Sequence, residues 1–155
     1  MRKRLAMTDT PIFLPLTGPA PAFDWHALAR MYRDQAIGLP DIVNGQPNWP
    51  RYFLLAHAAE LAIRAVLVAA KGSTQTRVTE PEPGKHDLSG LYQYACKLGL
   101  NSNPQILKEL EYLSEIHKNY VARYPKAPVR IWLASEFDNA VGQLLTDTWQ
   151  CVRIA

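Results

Sequence analysis

A chain of 155 residues, 48% apolar and 20% charged, has the size and composition of one globular domain with a real core, which sets aside a disordered chain. The net charge of +3 permits an anionic partner without demanding one. The two cysteines, Cys96 and Cys151, show no zinc spacing and read as buried free thiols of a reducing cytosol, with a disulfide left open.

Residues 1–22 read as an extended N-terminal arm, and 23–155 as one helical domain. Met1-Arg2-Lys3-Arg4 is basic and Ile12-Phe13-Leu14 is apolar. Asp9, Pro11 and Pro15 interrupt anything like a signal-peptide core, so secretion is not expected. The first helix is expected from Asp24, as N-cap, to about Ile37. Trp25, Leu28, Ala29, Tyr32 and Ala36 would face inward, and Arg30 and Arg33 outward or toward a neighbour's first turn. Gly38-Leu39-Pro40 ends it, and Asp41 to Asn48 reads as a polar loop with a turn at Asn44-Gly45.

The next stretch, from Trp49-Pro50-Arg51 to Lys71-Gly72, organises the chain. It is apolar nearly all round and rich in Ala and Leu, with Pro50 in the first turn and Gly72 just past the end. A helix apolar on every side must be covered on every side, so it is expected at the centre of a bundle. Its length would also suit a membrane span, but His57, Glu60 and Arg64 would be costly at mid-bilayer, so no membrane is expected. These three share one helical face, and Glu60 and Arg64 make a favourable i,i+4 pair. They read as a structural ion pair at a helix contact or as a polar cluster lining a groove.

Residues 73–85 form the longest irregular segment, with Pro81, Pro83 and Gly84. A helix opens at His86-Asp87-Leu88, capped by Asp87 or Ser89, with Leu88, Leu91, Tyr92, Ala95 and Leu98 inward and Gly99 closing it. Asn103-Pro104 starts the next, running to about Val121 with Ile106, Leu107, Leu110, Leu113, Ile116, His117 and Tyr120 on its buried face. Pro125 stops it, and a basic crossover leads to a last helix over about Ala134 to Val152, with Phe137, Ala140, Val141, Leu144, Leu145 and Trp149 inward. Five helices with short connections predict an all-α, up-and-down bundle.

Chemistry-bearing motifs are sparse. The histidines His26, His57, His86 and His117 show no metal-ligand spacing, so neither a metal nor a cofactor is expected. There is no phosphate-binding glycine loop and no GxSxG or Cys–His pattern. Lys118, Arg123, Lys126 and Arg130, interleaved with Tyr120, Tyr124 and Trp132, form the best candidate ligand patch, since cations and π-faces together suit a nucleotide or single-stranded nucleic acid. His86 and Asp87, at a helix start that favours anions, could lie nearby. The bland alternative is a solvated surface, with Arg123 bonding carbonyls at a helix end.

In order, the motifs resemble the HEPN domain, a helical-bundle family. The likeness covers roughly Trp49 to Arg153. It rests on the helix from His57 through Glu60 and Arg64, then Lys85-His86-Asp87-Leu88 with Leu91, then Arg123-Tyr124-Pro125, then a final helix with Asp138, Ala140 and Leu144. The resemblance implies an up-and-down helical bundle, commonly dimeric, and the free thiols and the absence of a signal-peptide core lead to the expectation of a cytoplasmic protein. The resemblance implies either RNA cleavage or a non-catalytic nucleotide- or RNA-associated role, often in defence or toxin–antitoxin systems, beside a nucleotidyltransferase or antitoxin. Ribonuclease members carry Arg, four to six residues, then His near the start of the last helix. Here no histidine follows Arg123 or Arg130, and only Arg51 and His57 meet the spacing, on the central helix. The reading taken forward is a non-catalytic, dimerising HEPN-like module for a nucleotide, RNA or partner protein. Its rivals are a metal-independent ribonuclease using Arg51, His57 or His117, or a relocated set with His86 and Arg123, and an interaction subunit with no nucleic-acid role.

Overall fold

The computed structural model describes residues 20–71, 80–118 and 132–154. They form an all-α helical bundle: α1 (Ala22–Ile37), a hairpin of β1 (Ile42–Val43) and β2 (Gln46–Pro47), α2 (Trp49–Lys71), α3 (Leu88–Lys97), α4 (Pro104–Lys118), a 3₁₀ turn (Ala134–Phe137) and α5 (Asp138–Arg153). Gly72, Tyr120, Arg123, Tyr124, Lys126 and Arg130 lie outside the described residues.

α2 is the hub. It packs against α1, α3, α4 and α5, and thirteen of its residues are buried, including Tyr52, Leu55, Ile63 and Val66. Alanines at 56, 58, 59, 62 and 65 keep its surface low, so neighbouring helices approach closely. The stretch is long and apolar enough to cross a membrane, but most of it is buried inside the bundle, as in the core helix of a soluble protein.

Local chemistry explains most of the ends. Asp87 caps α3 by accepting from the Gly90 amide at 3.1 Å, and a Cβ on Gly90 would collide with that carboxylate. Gly99 closes α3 in the left-handed region, at φ 114°, with the Leu100 amide returning to the Ala95 carbonyl at 3.1 Å. Asn103 caps α4 through the Gln105 amide at 3.0 Å.

Four expectations need correction. The segment Asp41–Asn48 holds a hairpin: Asn44 and Gly45 both have positive φ, 51° and 73°, as a tight primed turn requires. Two-residue strands are too short to show alternation in sequence. α1 begins at Ala22 after Pro21, so Asp24 lies in the first turn rather than at the cap; its charge still suits the helix dipole. Leu28 is 41% exposed, while the buried polar position on α1 is His26, whose Nε2 donates to the Leu145 carbonyl at 2.8 Å. The stretch from Ala134 starts as a 3₁₀ turn, and α5 proper begins at Asp138. Both cysteines are free and half-buried, and burial raises both thiols above their ordinary pKa.

Candidate functional site

Glu60 lies on the buried face of α2 and is 6% exposed. A carboxylate there must be paired or it would destabilise the fold. Its Oε2 accepts from His117 Nε2 of α4 at 2.8 Å and lies 3.2 Å from His86 Nδ1, two residues before α3. Its Oε1 accepts from Arg64 Nε at 3.3 Å, and Arg64 Nη1 also donates to Glu82 at 3.1 Å. The rings of His86 and His117 are nearly perpendicular, with centroids 4.9 Å apart. Ser114, one turn before His117, accepts from the Leu88 amide at 3.0 Å, and so pins the start of α3 to α4.

Burial by itself would raise the Glu60 pKa. Hydrogen bonds from His117 and His86, the His117 charge and the Arg64 bond outweigh it and hold the carboxyl down to about 2. Since a carboxylate only accepts, the His117 proton facing it sits on Nε2. His117 Nδ1 is buried and has no hydrogen-bond partner among the described residues. His117 is 1% exposed, while His86 is half-buried, so the cluster runs from core to surface.

One nitrogen of each histidine and one Glu60 oxygen lie within 4.8 Å of one another. Chemically the group can relay a proton between two imidazoles and a carboxylate, or hold a cation that takes nitrogen and oxygen ligands. At the same end of the bundle, exposed Lys118 bonds Glu115 at 2.8 Å and feels the charge of Asp87.

His57 does not join this cluster in the interactions seen. It stacks on Phe53, with centroids 5.6 Å apart, and meets the edge of Tyr32 at 4.6 Å. Arg51 is buried in a second network, where Nη1 donates to Asp41 at 2.7 Å and Nη2 to Asp138 at 2.6 Å. Ser135 adds its amide to Asp41 at 2.9 Å, and Arg33 donates to the Asp138 carbonyl at 3.2 Å. Both terminal nitrogens of Arg51 thus face carboxylates. Six positions apart, Arg51 and His57 are also separated by about 120° around the helix.

The sequence pointed to Glu60–Arg64 and to Asp87. It did not point to His117 or His86 as partners of Glu60, nor to the Asp41–Arg51–Asp138 clamp. A signal was present: Glu60, Ser114 and His117 are polar residues on apolar faces, and each must find a buried partner. Comparison with family models, with curated proteins and with solved structures returned no match to this chain.

Proposed function

We propose that the chain is a non-catalytic, HEPN-like helical module of the cytoplasm that binds RNA or a nucleotide at the end of the bundle where α3 starts and α4 ends. What supports this is one juxtaposition: Glu60 gathers His86 and His117 on a single oxygen. Lys118, the first cation of the basic stretch, ends α4 close enough to feel the charge of Asp87, and a cation at that end supports an anionic ligand. The order of motifs shared with HEPN domains supports the ligand class.

Labelled single-stranded RNA in EDTA is expected to be bound but not cut. Arg123→Ala should weaken binding about tenfold and reduce the salt slope by about 0.7 for the lost phosphate contact, with the thermal midpoint unchanged. Unchanged affinity with lost stability would make Arg123 structural and sink the ligand-site reading. A ribonuclease is the second reading, favoured by the 4.9 Å spacing of the His86 and His117 rings. Cleavage in EDTA that disappears in His86→Ala or His117→Ala would establish it in place of the first.

The module is expected to be a homodimer, with a nucleotidyltransferase or antitoxin as the kind of protein partner the resemblance suggests. α2, though apolar all round, gives the dimer no support, because the other four helices of the same chain cover it. Exposed Leu28, Met31 and Ile37 on α1, with Ile42 and Val43 on the hairpin, are the better support. Light scattering at micromolar concentration should give twice the 17.5 kDa chain mass. A value equal to the chain mass would refute the dimer.

A further inference from the structure

We propose that Glu60, His86 and His117 form a binding site for a zinc-like divalent cation, a property independent of any RNA role. Two imidazoles and one carboxylate are a ligand set suited to zinc and its first-row neighbours, not to magnesium or calcium, which require mostly oxygen. The three ligands come from different parts of the chain, 26 and 57 residues from Glu60, and converge without any sequence motif.

Two of the three spacings are close to what a cation needs, and the third, between the two histidine nitrogens, lies within 4.8 Å. Two ligands at about 2.0–2.1 Å from a tetrahedral ion stand roughly 3.3 Å apart. The Glu60 oxygen lies 2.8 Å from His117 Nε2 and 3.2 Å from His86 Nδ1. Shifts of a few tenths of an ångström at those two contacts, with the two histidine nitrogens brought to a similar separation, would turn hydrogen-bond geometry into ligand geometry. Arg64 holds the other oxygen, Oε1, at 3.3 Å, so Oε2 alone faces the rings. A partner of this kind orients a ligating carboxylate. Ser114 sets α4 against α3 and so sets the relation of the two histidines. His86 is half-buried and supplies the entry path from solvent.

Binding replaces the two ring N–H···O bonds with two N–metal bonds and one O–metal bond. The His117 proton moves from Nε2 to Nδ1, the buried nitrogen with no partner among the described residues, and the His86 proton moves from Nδ1 to Nε2. With no acceptor among those residues to stabilise the new N–H of His117, the site should bind zinc less tightly than one with a full outer shell.

The test is calorimetric titration of the full chain, stripped with EDTA and desalted, with zinc chloride, paralleled by cobalt(II) absorption. One zinc per chain, visible cobalt bands of a four-coordinate site and a zinc-dependent rise in thermal midpoint are expected. His86→Ala, at a half-buried position that should leave the fold intact, should weaken zinc at least about 100-fold. His57→Ala, whose ring is separated from His117 by Phe53, should leave zinc affinity unchanged and serves as the control. No saturable binding in the folded wild-type chain would overturn the proposal. So would zinc binding that survives His86→Ala undiminished, since the cation would then lie elsewhere.

Discussion

Glu60→Ala should lower the unfolding free energy by about 3–5 kcal/mol near neutral pH. The substitution leaves the His117 Nε2–H in a position 1% exposed with no acceptor, and an orphaned buried donor costs about 1–3 kcal/mol. It also opens a cavity in the middle of α2 and removes one of the two carboxylates on Arg64. Glu60→Gln keeps the volume and a carbonyl acceptor, so it should cost less, about 1–2 kcal/mol. The same group sets an acid limit. Its carboxyl titrates at about 2 in the fold, against an ordinary 4.5. A lowered carboxyl pKa stabilises the fold above the unfolded value, and that contribution is lost as pH falls from about 4.5 toward 2. Wild type should therefore lose stability through this window, while Glu60→Gln, with nothing to titrate there, should show a flatter profile. Urea denaturation at neutral pH and at about pH 3 measures both. Equal midpoints for wild type and Glu60→Ala at neutral pH would show that the cluster does not hold the core.

Arg51→Met should cost a similar amount, about 3–5 kcal/mol. Arg51 is 5% exposed, and its fork joins Asp41 ahead of the hairpin to Asp138 at the start of α5. Removing it leaves two carboxylates facing one another across an apolar side chain. They are not equally vulnerable. Burial raises the Asp138 pKa above its ordinary value despite Arg51 and Arg33 nearby. Burial pushes Asp41 up as well, but hydrogen bonds from Ser135 and the Arg51 charge outweigh it and hold Asp41 below its ordinary value. Asp138 is thus the carboxylate that most needs Arg51. Adding Asp138→Asn to Arg51→Met should recover more stability than adding Asp41→Asn. Arg51→Lys should rescue only part of the loss, because one ammonium cannot bridge two carboxylates as a planar fork does. Thermal denaturation of wild type and these four variants decides it. A midpoint unchanged by Arg51→Met would mean that the clamp is neutral and that Arg51 can be sought for another role.

Local chemistry is legible in the chain itself. The Ala- and Leu-rich run after Pro50, the Asp87 cap, the Gly99 stop and the Asn103-Pro104 start each act within a turn or two of backbone, and the fold has them at those residues. The Asn44-Gly45 turn is visible too, but not its hairpin, because strands of two residues carry no period. The sequence by itself therefore determined a five-helix, all-α bundle with α2 at its hub. Which polar groups meet was decided only in three dimensions. Spacing pairs Glu60 with Arg64, its neighbour one turn away, and puts His57 on the same face. The closest partner of Glu60 is His117, 57 residues distant, while the His57 ring packs on Phe53 and Tyr32. Arg51 likewise takes Asp41 and Asp138, 10 and 87 residues away. Spacing along a helix says which residues share a face. The rotation and offset at which helices pack say what that face meets, and those follow from the summed burial of the whole core rather than from any short stretch of residues.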